Sequence, residues 1–97
     1  MAGAGPESFL AECFWPDVGA ADLEALDARI TAATADLNRR RLSVRYLGSL
    51  LLREDEVVFC QFEGTAESVR AAAEQARVPF ERILAAGRSP WHPATAP

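Results

Sequence analysis

Lysine is absent from this 97-residue chain, and all 10 of its basic residues are arginine. A Schiff-base lysine, the lysine of a phosphate-binding loop and a serine–lysine pair are therefore excluded. Histidine is nearly absent as well. The single His92 lies in a proline-rich tail, which suits a solvated or partner-binding residue and argues against a serine–histidine triad or a cysteine–histidine dyad. The two cysteines, Cys13 and Cys60, are far apart and each sits inside an apolar run. The lack of a C-x-x-C pair and of a Cys/His cluster argues against a structural zinc site, and the cysteines read as packed thiols of a reducing compartment. A disulfide is the lesser alternative. No segment approaches the roughly 18 consecutive apolar residues of a membrane span, and MAGAGPES has neither the basic start nor the apolar centre of a secretory signal. The expectation is a cytoplasmic protein that does not bind membrane. A surplus of 14 acids over 10 bases, for a net charge of −4, argues equally against nucleic acid.

What is present is enough for one small core. Hydrophobic residues make up 49% of the chain, and a chain of this size buries roughly 60–70% of its unfolded surface. Residues 1–8 are small and polar and the tail at 87–97 holds three prolines; both are expected to be flexible, leaving one domain at 9–86. Phe9 to Trp15 reads as a strand stopped by Pro16. Asp17 or Asp22 then caps a helix over 21–39, whose Leu23, Leu26, Ile30, Ala33 and Leu37 repeat at three-four spacing. Acids at its start and Arg39, Arg40 and Arg41 at its end complement the helix dipole. The β-branched and aromatic run Leu42 to Leu52 reads as a strand with Gly48 a candidate bulge, REDE at 53–56 as a turn, and Val57 to Glu63 as the partner strand. Thr65 caps a helix over 66–77, Pro79 stops it, and Phe80 to Ala86 supplies a last strand. The order βαββαβ predicts an α+β, ferredoxin-like fold: a four-stranded antiparallel sheet with two helices on one face.

Alternation along the strands separates two faces. Phe9, Ala11, Cys13, Trp15, Val44, Tyr46, Val58, Cys60 and Phe62 are almost wholly apolar and are expected beneath the helices. Leu10, Glu12, Phe14, Arg45, Leu47, Ser49, Val57, Phe59, Gln61 and Glu63 fall on the other face, with the later members of the second strand open to a shift if Gly48 bulges. This second face is too apolar to be simply wet, and a homodimer packing sheet on sheet is its most economical cover. Glu12, Arg45, Gln61 and Glu63 are expected to converge in or beside that interface. Two acids with an arginine and an amide can hold a cation, bind a polar small molecule, or act as acid and base. If the protein is an enzyme, Glu12 or Glu63 is the base and Arg45 steadies an oxyanion. The plainer alternative is that Arg45 neutralises Glu12 or Glu63 as an ion pair. Phe14, Tyr46, Phe59 and Gln61 are the candidate ligand-binding residues.

Several segments together resemble a family of small bacterial domains of unknown function, called nickel-binding-protein-like after a member that binds nickel. These are FLAECFWPDV at 9–18, YLGS at 46–49, the acidic EDE at 54–56 followed by an aromatic-cysteine strand, the strand-ending Glu63, and VPFERI at 78–83. The resemblance covers nearly all of residues 9–85 and implies a ferredoxin-like fold, a dimer, and a divalent metal such as nickel as a cofactor to consider. No ligand residue carries over, because residues 9–86 contain no histidine. A nickel site would have to use carboxylates, thiolates, backbone groups or His92. The functional expectation is a dimeric, non-catalytic binding protein for a metal ion or small molecule. The alternatives are a cofactor-independent isomerase, cyclase or oxygenase with an apolar pocket between sheet and helices, and a structural or regulatory partner protein.

Overall fold

The computed structural model describes residues 7–87. Strand β1 (Glu7–Phe14) is followed by helix α1 (Ala20–Arg39), strands β2 (Val44–Leu52) and β3 (Val57–Gly64), helix α2 (Ala66–Gln75) and strand β4 (Arg82–Ala86). The strands form one antiparallel sheet in the order β2-β3-β1-β4. This is the ferredoxin-like α+β arrangement that the element order predicts. Both helices pack on the same face, over a core that includes Phe9, Leu26, Ile30, Leu37, Val58, Phe62 and Val69. No helix among the described residues is long and apolar enough to cross a membrane.

Local chemistry explains the boundaries. The peptide N–H of Gly19, the N-cap of α1, donates to the Asp22 carboxylate at 2.9 Å. Asp22 thus reaches back from the first turn instead of standing at the cap, and Asp17 takes a left-handed turn conformation at φ 61°. Thr65 caps α2 by accepting the Ser68 N–H at 3.0 Å, while the buried Ser68 hydroxyl donates to the Ser43 carbonyl at 2.8 Å and fastens α2 to the entry of β2. Each helix ends in a left-handed arginine, Arg41 at φ 67° and Arg77 at φ 58°. The next N–H then folds back: Leu42 to the Leu37 carbonyl and Val78 to the Ala73 carbonyl, both at 2.9 Å.

Four boundaries differ from the sequence reading by two residues, the first being the start of β2 at Val44 and not at Leu42. Strand β1 begins at Glu7, so Glu7 and Ser8 belong to the sheet, paired with Gly64 and Glu63 of β3; residues 1–6 and 88–97, including His92, lie outside the described residues. Helix α2 ends at Gln75 and not at 77, because Arg77 turns left-handed. Strand β4 starts at Arg82: Phe80 donates back to Val78 in a tight turn and packs on the core, with the Arg70 guanidinium 5.6 Å above its ring.

The bulge foreseen at Gly48 is present. Tyr46 pairs with Phe62 and Gly48 with Gln61, leaving Leu47 as the extra residue. Two glycines hold positive φ, Gly48 at 117° and Gly64 at 155°, but their surroundings differ. A Cβ on Gly48 meets nothing within 4 Å, whereas one on Gly64 falls 2.8 Å from both the Ser43 carbonyl oxygen and the Ser68 hydroxyl. Gly48→Ala is therefore expected to cost the backbone strain alone, about 1–3 kcal/mol. Gly64→Ala adds a steric term of about 1–3 kcal/mol more. Urea denaturation of both variants checks the ranking, with Gly64→Ala having the lower midpoint.

Candidate functional site

The pairing register places the open-face residues in four rows running from β2 across to β4. They are Arg45, Glu63, Ser8 and Ala86; Gly48, Gln61, Leu10 and Leu84; Leu50, Phe59, Glu12 and Arg82; and Leu52, Val57 and Phe14. Phe14 is 52% exposed, Leu50 58% and Leu47 42%, so the apolar character expected of this face is real and unprotected within one protomer.

The predicted polar cluster does not assemble. Glu12 lies opposite Phe59 and Glu63 opposite Ser8, four positions apart in the register, or about 13 Å at roughly 3.3 Å per residue. Each acid has its own arginine. Arg45 donates to Glu63 at 3.3 Å, the ion pair that the plainer reading anticipated, and Arg82 donates to Glu12 from the neighbouring strand. Gln61 joins neither pair. A general base needs a carboxylate not already held by a guanidinium, so the assignment of Glu12 or Glu63 as base and Arg45 as oxyanion partner gains nothing from the geometry. Of the four candidate ligand-binding residues, Phe14, Phe59 and Gln61 share the open face, while Tyr46 points to the helices.

Tyr46 instead belongs to a polar cluster beneath α1. Its hydroxyl donates to Asp27 Oδ1 at 2.5 Å, and the Ser49 hydroxyl donates to the same oxygen at 3.4 Å. The bulge makes this possible, because the extra Leu47 rotates Ser49 off the open face and into register with the helix-facing Cys60. The Tyr46 ring tilts against Phe62 with centroids 5.3 Å apart. Burial, followed by the hydrogen bond to Asp27, holds the Tyr46 phenol protonated well above its usual range. The Cys60 thiol is fully buried against Cys13; that contact first, and burial second, push its pKa up. Both cysteines are free, buried thiols, in keeping with the sequence reading.

Asp27 and Arg82 escaped the sequence reading. Asp27 had a detectable signal, since it completes the 23, 26, 27, 30 spacing of the α1 stripe and is the one acid there. Arg82 had none, because its partner is set by β4 lying beside β1.

Two hollows, both open to solvent, are lined by other residues. One of about 320 Å³ runs between the helices along Ala32, Ala33 and Ala76, with Arg29 and Arg77 beside it. Arg29 is partly engaged, its Nε donating to the Ala76 carbonyl at 2.8 Å. The other, of about 120 Å³, lies by Trp15, Val18 and Leu51. Among the described residues, no three His, Cys, Asp or Glu side chains come together to hold a metal ion.

The fold and these features define a small ferredoxin-like α+β protein. The same fold occurs in the crystal structure of SCO4226 from Streptomyces coelicolor A3(2), which superposes with a TM-score of 0.69 over 86% of this chain and 99% of that one, at 17% sequence identity. Likeness at that identity speaks to fold. No protein-family model matches the chain, and no curated protein does.

The buried phenol implies a pH dependence with a definite sign. A group whose folded pKa lies above its unfolded value keeps its proton longer when folded, so stability is full below the unfolded pKa and is lost as pH rises past it. With an ordinary value of 10.0 for Tyr46, the urea midpoint is expected to fall as pH climbs from about 9.5 to 11. Tyr46→Phe should have a lower midpoint at pH 7, having lost a hydrogen bond to a carboxylate worth about 1.5–3 kcal/mol, and a shallower decline above pH 10.

Proposed function

We propose that this protein is a non-catalytic binding module that works as a homodimer, with the open face of its sheet as the assembly surface. The observation that carries the reading is the exposure of Phe14, Leu47 and Leu50 on the face the helices leave bare. An apolar surface of this kind marks an interaction site. A second copy of the chain is the occupant the face suits best, because its charges already cancel. Glu12 is paired with Arg82 and Glu63 with Arg45, so the surface meets itself without net repulsion. The fold and the dimer implied by the family resemblance point the same way.

For the ligand, a small polar molecule fits the protomer better than a metal ion. The acids of the open face are held by arginines, and the described residues offer no cluster of metal-binding side chains. The hollow of about 320 Å³ between the helices, with Arg29 and Arg77 beside it, is the space such a molecule would enter. An enzymatic role draws no comparable support, as the hollows are open and the proposed base is occupied.

Sedimentation equilibrium tests assembly. The parent chain is expected to be a dimer, and Leu50→Glu to weaken it by about 2 kcal/mol or more, roughly thirtyfold, with an unchanged far-ultraviolet circular dichroism spectrum. A monomeric parent, or a Leu50→Glu dimer of parental strength, would contradict the reading.

A further inference from the structure

Every charged side chain in the four rows of the open face is paired within the protomer, but one polar side chain in the middle of that face is not. Gln61 sits on the inner strand β3, in the second of the four rows, between Gly48 of β2 and Leu10 of β1. It is exposed, and among the described residues its amide makes no hydrogen bond. Covering this face with apolar side chains would bury a donor and an acceptor unpaired, which is costly. A sheet-on-sheet dimer must therefore do something with this amide.

A two-fold interface offers one place where the difficulty resolves itself. Only a residue at the axis meets its own copy. A primary amide is complementary to itself there, since the N–H of each donates to the carbonyl oxygen of the other. Gly48 supplies the room. It lies directly beside Gln61 in the register, and the position of its missing Cβ has no atom within 4 Å, so a dent opens next to the amide on the outer strand. The rows on either side differ in character. One carries the Arg45–Glu63 pair, and the other carries Leu50 and Phe59 next to the Glu12–Arg82 pair.

We infer that the two-fold axis of the homodimer passes beside Gln61, whose amide hydrogen-bonds to its own copy and selects one register among the many that two apolar sheets could adopt. This rests on the dimer reading above and adds to it the location of the axis and a register-setting residue. A buried polar group that costs affinity but fixes register is a known use of such residues.

The test is charge complementation at residue 61 in the full-length chain. Gln61→Glu and Gln61→Lys, each alone, are expected to dimerise at least tenfold more weakly than the parent at pH 7.5, because each places like charges face to face. An equimolar mixture of the two is expected to form a heterodimer within about threefold of parental affinity, because Glu then faces Lys. Sedimentation equilibrium and native mass spectrometry read both quantities, and circular dichroism confirms that the variants are folded. If each variant alone dimerises like the parent, or if the mixture is no tighter than its components, residue 61 does not face its own copy and the inference fails while the dimer reading stands. If the parent is a monomer at 100 µM scale concentrations, on the order of a hundredfold weaker than a micromolar dimer, the dimer reading fails and the inference with it.

Discussion

A four-stranded sheet has two faces, and this chain carries helix for only one of them. The connections from β1 through α1 to β2, and from β3 through α2 to β4, cross between parallel strands, and the right-handed sense that such crossovers follow places both helices on the same side. That side closes over Ala11, Cys13, Val58, Cys60 and Phe62, all fully buried. The other keeps Phe14 and Leu50 more than half exposed, although burying a side chain of that size is ordinarily favourable by about 1.5–3 kcal/mol. The functional reading follows from this imbalance: the layer that the fold leaves off this face is the one that the proposed association would supply.

The charges on the bare face support that view by cancelling. In water the Arg45–Glu63 and Glu12–Arg82 pairs contribute little, because surface ion pairs are typically worth about 0–1 kcal/mol. Their part is to leave a face without net charge, so that nothing opposes contact between identical surfaces. On the opposite face, polar groups have another task. Asp27 gathers the hydroxyls of Tyr46 and Ser49, and Ser68 ties α2 to β2, so each helix is anchored to the sheet by hydrogen bonds as well as by packing.

The parts of this architecture that local chemistry decides were legible in the sequence. Thr65 as a cap, the REDE turn and the alternation along β1 and β3 each depend on neighbours a few residues away. Partnership between distant segments was not legible. Glu12 and Glu63 share a face by parity, but nothing in their spacing says that the register separates them by four positions or that Arg82 arrives from β4 to claim Glu12. Ser49 shows the same limit within one strand. Parity assigned it to the open face subject to a shift if Gly48 bulged, and the extra residue at Leu47 carried it to the other, where it completes the Asp27 cluster. The helix-facing Tyr46 was correctly placed beneath the helices, but its partner Asp27 lay hidden among the acids that the helix dipole already explained.

The central claim, that the open face is covered by a second copy, is tested most directly by an isotope-filtered nuclear Overhauser experiment on a one-to-one mixture of labelled and unlabelled chains. Intersubunit contacts are predicted from Phe14, Leu50 and Phe59, with none from the outer surfaces of α1 and α2. Intersubunit contacts confined to the helices, or none at all at millimolar-scale concentration, where even a weak dimer of roughly 10⁻⁴ M would be populated, would contradict the account.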